Sequence, residues 1–166
     1  MLSMHEKVIF LKGVSSFTGL TVEQFERLAE ICEEENFAAG DQIFRQDDPG
    51  GALYIVINGQ VALEREIRCQ TDTISLTIVK PNEYFGEMSL FHDSPRSVTA
   101  TAFRDTMVLK LDNVDFVAFA RQNPDLLVEL NHILCQRLVE AYDKISEVTR
   151  NQKPLELRKL YEKLDF

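Results

Sequence analysis

The segment FGEMSLFHDSPRSVTA, at positions 85–100, holds the residue types of this chain whose spacing is best suited to chemistry. Gly86 lets a ligand approach the backbone closely, and the short run after it would open with backbone N–H groups aimed outward, as anion sites do. Arg96 supplies a planar guanidinium that matches a phosphate, and Glu87 supplies an acceptor for hydroxyl groups. Together these residues predict a site for a ligand that carries both a phosphate and a sugar hydroxyl.

The charge of the chain limits its partners. Lysine and arginine number 18 and aspartate and glutamate 27, which gives a formal net charge of −9. An acidic chain binds nucleic acid or an anionic membrane poorly, and it hosts an anionic ligand only where the site carries its own positive charge. Arg96 is therefore more informative here than it would be in a basic protein.

The compartment is predicted from cysteines, apolar runs and the N-terminus. No apolar run approaches the length of a membrane span, and the opening residues do not form a secretory signal. Cys32, Cys69 and Cys135 are odd in number and widely spaced, which predicts reduced, mostly buried thiols. We expect a cytoplasmic protein without a membrane span.

The periodicity of apolar residues predicts the order of the helices and strands that position the segment at 85–100. We predict an N-terminal helical segment over 1–36, a β region over 37–111, helices over 112–149 and a short helical tail over 150–166. Seven or eight short strands with regular turns indicate a mainly β fold, a double-stranded β-helix or jelly-roll-like barrel with N-terminal helices and C-terminal lid helices.

Four local signals make this outline specific. Thr21 and Gln24 form a capping-box pattern that starts a helix. Glu33-Glu34-Glu35 is typical of a solvated helix end, and Asn58-Gly59 predicts a hairpin turn. The alternation of Ile74, Leu76 and Ile78 with polar residues predicts a half-buried strand.

A long helix is predicted to begin at Asn123-Pro124 and to end near Thr149, because proline suits a first helical turn. Its apolar residues recur at gaps of three or four, close to a coiled-coil seam. This stripe predicts a homodimer through 124–149. The stripe comprises Leu127, Leu130, Leu134, Leu138, Ala141, Ile145 and Val148.

The segment at 85–100 resembles the phosphate-binding cassette of the cyclic nucleotide-binding domain, the family of the catabolite activator protein, the protein kinase A regulatory subunit and the cyclic-nucleotide-gated channels. The matching residues are Phe85, Gly86, Glu87, Arg96, Ser97 and Thr99. Val98 departs from the pattern, because the family usually has alanine there. The strands before the cassette and the helices after it extend the resemblance over nearly the whole chain.

By this resemblance each cassette residue has a role. Arg96 would make a bidentate contact to the cyclic phosphate, with Ser97 and the backbone N–H of Ser89 beside it. Glu87 would accept from the ribose 2′-hydroxyl, next to the backbone of Gly86. Serine at 97 keeps a hydroxyl that suits a phosphate or a guanine amino group, so the base is left open, with bacterial family usage favouring cAMP over cGMP.

The residues that would surround the base of the nucleotide are predicted less specifically than those that would contact its phosphate and ribose. Val98 and Thr99 would form the wall, although Thr99 is equally an ordinary strand threonine facing the barrel interior. Leu90 and Phe91 either contact a helix that moves on binding or belong to the core. The candidates above the base are Leu134, Arg137, Leu138 and Tyr142, and Leu134 and Leu138 suit the dimer seam as well.

Three classes of function compete. A sensor would bind cAMP or cGMP, with no other cofactor, and act on an effector that the sequence does not identify. A metal enzyme on a similar barrel needs a cluster of ligands, and the three histidines His5, His92 and His132 form no such group, so we predict neither catalytic residues nor a metal. A ligand-free interaction module would have no need of Glu87 and Arg96.

A DNA-binding regulator is a special case of the sensor. Only about seventeen residues follow Thr149, too few for a winged helix-turn-helix domain, so we expect no direct contact with nucleic acid. The chain is then either a standalone sensor or the sensing piece of a larger polypeptide.

Overall fold

The computed structural model describes residues 1–66, 73–89 and 94–149. The helices are α1 (Met4–Lys12), α2 (Val22–Glu30), α3 (Asn113–Gln122) and α4 (Pro124–Thr149), with 3-10 helices at Ser15–Phe17 and Glu87–Ser89. The strands are β1 (Cys32–Phe37), β2 (Gln42–Phe44), β3 (Ala52–Asn58), β4 (Val61–Glu66), β5 (Thr73–Val79), β6 (Tyr84–Phe85), β7 (Thr99–Ala102) and β8 (Thr106–Asp112).

The strands of the described residues form two antiparallel sheets of four. One sheet has the order β1-β8-β3-β6 and the other β2-β7-β4-β5. An apolar cluster with members from both sheets lies between them, among them Phe44 of β2, Tyr54 of β3 and Phe85 of β6. The predicted mainly β, double-sheet fold with flanking helices is confirmed.

Strand β3 is buried on both faces. Alternate residues Ala52, Tyr54 and Val56 belong to the cluster between the sheets. Leu53 and Ile55 point to the opposite face, since side chains alternate along a strand, and both are 1% exposed. The helix α3 contacts the neighbouring strand β8 of the same sheet.

The helix starts follow the predicted signals. Thr21 caps α2: its Oγ1 accepts from Gln24 N at 3.3 Å, and Gln24 Oε1 accepts from Thr21 N at 2.7 Å. The long helix α4 begins at Pro124, as predicted, and is described to Thr149. Two compact units divide the chain, Met1–Leu127 and Val128–Phe166, so α4 begins in the first and continues in the second.

The run Glu33-Glu34-Glu35 was wrongly predicted as a helix end, because it lies in strand β1, inside the segment 1–36 that we expected to be helical. Strand β1 pairs with β8, and Lys110 of β8 lies 3.8 Å from Glu33 and 3.5 Å from Glu35. Glu34 accepts from the backbone N–H of Leu2 at 2.8 Å. The strand is stabilised by partners that are distant in sequence, which local periodicity does not report.

Asn58-Gly59 forms a turn but not the predicted hairpin. Gly59 has a φ of +88°, as a tight turn of this kind requires. However, β3 pairs with β8 and β6, whereas β4 pairs with β5 and β7. The turn therefore carries the chain from one sheet to the other.

Two burial predictions are also wrong. Leu76 and Ile78 are 48% and 38% exposed, because Val79 belongs to the core cluster and alternation along β5 places Ile78 and Leu76 on the opposite, outer face. Cys135 is exposed on α4, whereas Cys32 is buried as predicted. Cys69, Ile74's side chain and the tail 150–166 lie outside what the structure describes.

Candidate functional site

The backbone of Arg96 is tied to the loop between β2 and β3. Arg96 N donates to Asp48 O at 2.8 Å, and Asp47 N donates to Arg96 O at 2.9 Å. The loop is itself closed by a turn in which Arg45 N donates to Asp48 Oδ2 at 2.8 Å. These hydrogen bonds between the cassette and the loop fix the backbone position of Arg96.

The side chain of Arg96 is 5% exposed, and one of its nitrogens makes most of its polar contacts. Nη1 donates to Ala52 O at 2.9 Å, to Gly86 O at 3.2 Å and to Ser89 Oγ at 2.9 Å. In the described part of the chain, the buried Nε has no hydrogen-bond partner. A guanidinium donor that is buried and unsatisfied is unfavourable unless a ligand supplies the acceptor.

The charge of Arg96 is only weakly compensated by the protein. Among the described residues, no carboxylate lies within 4.0 Å of the guanidinium. Burial lowers the pKa of Arg96 from its ordinary value, while Tyr54 and Asp48 act in the opposite direction. Arginine nevertheless stays charged at neutral pH, so the site presents a buried positive charge suited to an anion.

Two aromatic rings lie close to this charge, and a third packs against them. The Arg96 Cζ atom lies 4.2 Å from the centroid of the Phe44 ring and 5.7 Å from that of Tyr54. Phe85 stacks on Tyr54 with centroids 5.2 Å apart, and Phe44 lies 5.8 Å from both. The apolar side of the guanidinium plane is therefore covered by the core.

Gly86 is placed where only glycine fits well. Its φ is +82°, and a Cβ built there would lie 2.8 Å from Arg96 Nη1 and 3.0 Å from Ala52 O. Sequence reasoning assigned the close approach to a ligand, whereas in the structure the arginine side chain itself makes it. Glu87 follows directly, half-buried, as the first residue of the 3-10 helix.

Ser89 lies behind Arg96 and is 4% exposed. Its hydroxyl accepts from Arg96 Nη1 and donates to Gly86 O at 3.3 Å. Gly50 leaves room for it, because a Cβ there would lie 2.7 Å from Ser89 Oγ and 2.8 Å from Ser94 O. The side chain of Ser89 thus holds the arginine.

The residues after Arg96 differ in burial. Ser97 is half-buried, with its hydroxyl 3.4 Å from Met88 Sδ. Val98 packs against the core cluster. Thr99 is buried, and its Oγ1 accepts from Gln46 N at 3.0 Å, which is the interior position that we considered for it.

The predicted cover residues lie on α4 in the second unit. Leu134 and Leu138 are 36% and 52% exposed, and Arg137 is exposed as well. Leu90, Phe91 and His92 lie outside the described residues. The contact of Leu134, Arg137 and Leu138 with the base therefore stays a prediction.

Sequence reasoning missed the residues on the preceding strands and loop that shape the site. Phe44 and Tyr54 contact the guanidinium, Ala52 supplies an acceptor and Gly50 leaves space. The sequence carried only a modest signal for them. Phe44 and Tyr54 lie at inward positions of two strands, on either side of the Gly50-Gly51 pair. Their distance from the cassette in sequence concealed them.

Comparison with known proteins decides the family. The model of the cyclic nucleotide-binding domain matches residues 34–123, which is more than half of the chain. The chain belongs to the cyclic nucleotide-binding domain family. The matched range contains the whole cassette and the strands that carry Phe44 and Tyr54, so this domain is a regulatory module with the architecture just described.

Members of this family from different kingdoms are similar to the chain. The cyclic AMP receptor protein of Thermus thermophilus is 37% identical over 155 residues, covering 90% of this chain and 71% of that protein. The cAMP-dependent protein kinase regulatory subunit of Dictyostelium discoideum is 35% identical over 99 residues, covering 57% of this chain and 30% of that protein.

Solved structures support the same family. The crystal structure of the Thermus thermophilus catabolite activator protein aligns with a TM-score of 0.74 at 34% identity, covering 81% of this chain and 62% of that one. The chain therefore spans less than two thirds of that solved protein.

The described residues also bear on metal sites and on membrane spans. Residues 1–66, 73–89 and 94–149 contain no group of three or more histidine, cysteine or acidic side chains that could hold a metal ion. In the same ranges, no helix is both long and apolar enough to cross a membrane.

Proposed function

We propose that this chain is a regulatory module that binds cAMP and transmits binding through its C-terminal helices. One observation carries the proposal: the buried guanidinium of Arg96 has an Nε without a hydrogen-bond partner in the described chain. The cyclic phosphate of the ligand supplies the missing acceptor and the missing negative charge.

The roles of the other residues follow from their positions around Arg96. Ser97 and the backbone N–H of Ser89 accompany Arg96 at the phosphate. Glu87, beside Gly86 and half-buried, accepts from the ribose 2′-hydroxyl. Val98 and Thr99 form the wall nearest the base, and Leu134, Arg137 or Leu138 of α4 covers it.

The choice of cAMP over cGMP rests on the relatives, since two of them are named as cAMP receptor or cAMP-dependent proteins. The hydroxyl of Ser97 is the feature of this chain that favours cGMP as the alternative ligand, because it can bond a guanine amino group. This proposal assigns binding without catalysis, so the nucleotide is released unchanged.

The test is calorimetric titration of the protein with cAMP and with cGMP, together with Arg96→Ala. We expect micromolar or tighter binding of cAMP, about −8 kcal/mol, and a loss of at least about a hundredfold in the variant, because charge-assisted bonds to a phosphate are lost. Arg104→Ala, an exposed arginine between β7 and β8, is the matched control and keeps wild-type affinity. A folded protein that binds neither nucleotide would instead be an interaction module with a degenerate site.

We also propose a homodimer through the helix at 124–149. Five large apolar side chains between positions 134 and 145 of α4 are more than a third exposed, and four of them are spaced by three or four residues. Such a seam is typical of helices that pair. The exposed residues are Leu134, Leu138, Val139, Tyr142 and Ile145.

Sedimentation of the double variant Leu134→Lys and Leu138→Lys tests this proposal. We expect a folded monomer, because two buried charges would face each other across the seam. The control is Glu129→Lys together with Glu140→Lys, which adds the same positive residues at acidic positions and leaves the dimer intact. A double leucine variant that still sediments as a dimer would place the seam elsewhere.

A further inference from the structure

The aromatic side chains beneath Arg96 come from three strands in both sheets. Phe44 ends β2, Tyr54 lies within β3 and Phe85 ends β6. All three are less than 9% exposed, and their centroids are 5.2 to 5.8 Å apart. The guanidinium therefore lies against buried side chains that pack on one another.

Phe44 makes the closest of these contacts. A cation within about 6 Å of a ring centroid is attracted by the ring quadrupole, and the attraction is stronger where water is excluded. Arg96 Cζ lies 4.2 Å from the Phe44 centroid, whereas it lies 5.7 Å from that of Tyr54, near the limit of this range.

The hydrogen bonds of Arg96 do not by themselves orient its phosphate-facing edge. Among the described residues, the three acceptors of its side chain all bind Nη1, namely Ala52 O, Gly86 O and Ser89 Oγ. A guanidinium that is held at Nη1 by hydrogen bonds and at Nε by its covalent bond to Cδ can still tilt about the line that joins these two points. A ring packed against the guanidinium opposes this tilt, because tilting would give up the close contact of 4.2 Å between Arg96 Cζ and the Phe44 centroid.

We propose that Phe44 is a positioning residue for Arg96, and that its ring fixes the plane of the guanidinium so that Nε stays available to a ligand phosphate. This inference rests on the proposed function. It adds a determinant that lies outside the cassette, more than fifty residues before Arg96 in sequence.

The first measurement is the affinity of Phe44→Leu for cAMP. We expect binding about thirtyfold weaker than wild type, the size of a desolvated cation–π contact. Phe44→Tyr keeps a ring and is expected to keep wild-type affinity. Val108→Ala is the matched control for lost core volume, because Val108 is a buried member of the same cluster without a ring, and it should lower the melting temperature without weakening binding.

The second measurement separates positioning from packing and needs no nucleotide. In the free wild-type protein labelled with ¹⁵N, the ring current of Phe44 should displace the Arg96 Nε–H resonance, and burial should slow its exchange with water. In Phe44→Leu the resonance should move toward the position of exposed arginines and exchange faster. In Val108→Ala it should not move. If Phe44→Leu fails to fold, Phe44→Met makes the same comparison.

The outcomes separate this inference from the function on which it rests. If wild type binds cAMP but Phe44→Leu binds equally well with an unmoved Nε–H signal, the inference is wrong and the proposed function stands. If Val108→Ala weakens binding as much as Phe44→Leu, the effect is general packing and the inference is again wrong. If wild type binds no nucleotide, both are overturned.

Discussion

Gly86 is constrained in two independent ways at the residue scale. Its φ of +82° lies in the left-handed region, and its missing side chain leaves the space that Arg96 Nη1 occupies. Gly40 has a similar φ of +92°, but a Cβ there would meet nothing within 4 Å. Substitutions at Gly86 and at Gly40 can therefore be compared to separate the cost of backbone strain from the effect of the contact with Arg96.

We predict that Gly86→Ala weakens both stability and cAMP binding. The left-handed conformation costs about 1–2 kcal/mol for a residue with a Cβ, and the clash adds to it by displacing Arg96. Gly40→Ala should lose only the stability that the left-handed conformation costs, about 1–2 kcal/mol, and should keep wild-type affinity. The measurements are urea denaturation and calorimetric titration; equal affinity losses in the two variants would contradict the contact with Arg96.

At the scale of elements, the N-terminal helices are joined to the junction of α3 and α4. Gln24 of α2 donates through Nε2 to Asn123 Oδ1, while Asn123 Nδ2 donates to Phe119 O at 2.7 Å. Asn123 is 8% exposed and directly precedes Pro124, the first residue of α4. The end of α3 is therefore held by a helix that lies 99 positions away in sequence.

We predict a coupling free energy of about 1 kcal/mol between Gln24 and Asn123 in a double-mutant cycle with alanine, measured by urea denaturation. Asn123→Ala alone should destabilise by about 1–3 kcal/mol, because it leaves buried polar groups unpaired. Asn131→Ala, at an exposed position of α4, should change stability by less than about 0.5 kcal/mol. If the effects of Gln24→Ala and Asn123→Ala on the free energy of unfolding are additive, the hydrogen bond between the two side chains contributes nothing to stability.

At the scale of the whole molecule, two groups with raised pKa values, Cys32 and Tyr54, make stability depend on alkaline pH. Burial raises the pKa of the Cys32 thiol to about 12, although Lys7 acts to lower it. Burial also raises the pKa of Tyr54. A group whose pKa is raised in the folded state contributes stability that is present below its unfolded pKa and is lost as the pH rises toward its folded pKa.

We predict that the free energy of unfolding falls as pH rises from about 8.5, where an unfolded thiol ionises, toward about 12 for the folded Cys32. Chemical denaturation at pH 7.5, 9 and 10 measures this fall. Cys32→Ala should be less stable at pH 7.5 but should show a shallower decline, whereas Cys135→Ala, which changes an exposed thiol, should keep the wild-type slope. Parallel declines for Cys32→Ala and wild type would exclude the thiol as a cause.

Local sequence determined those parts of this protein that depend on near neighbours along the chain. The capping box at Thr21, the start of α4 at Pro124 and the positions of most strands follow from side-chain chemistry and periodicity within a few residues. The family was also readable, because the cassette is one continuous segment with its own pattern of glycine, carboxylate and arginine.

The tertiary structure decided what depends on partners far apart in sequence. The three glutamates became a strand because β8 pairs with them, and Asn58-Gly59 joined two sheets because β3 and β4 each found other neighbours. Arg96 is likewise held by Ala52, Phe44 and Tyr54, and no local pattern at position 96 reports those contacts. Strand pairing and burial depend on the folding of the whole chain. Both remove water from two surfaces, and those surfaces belong to segments that are far apart in the sequence.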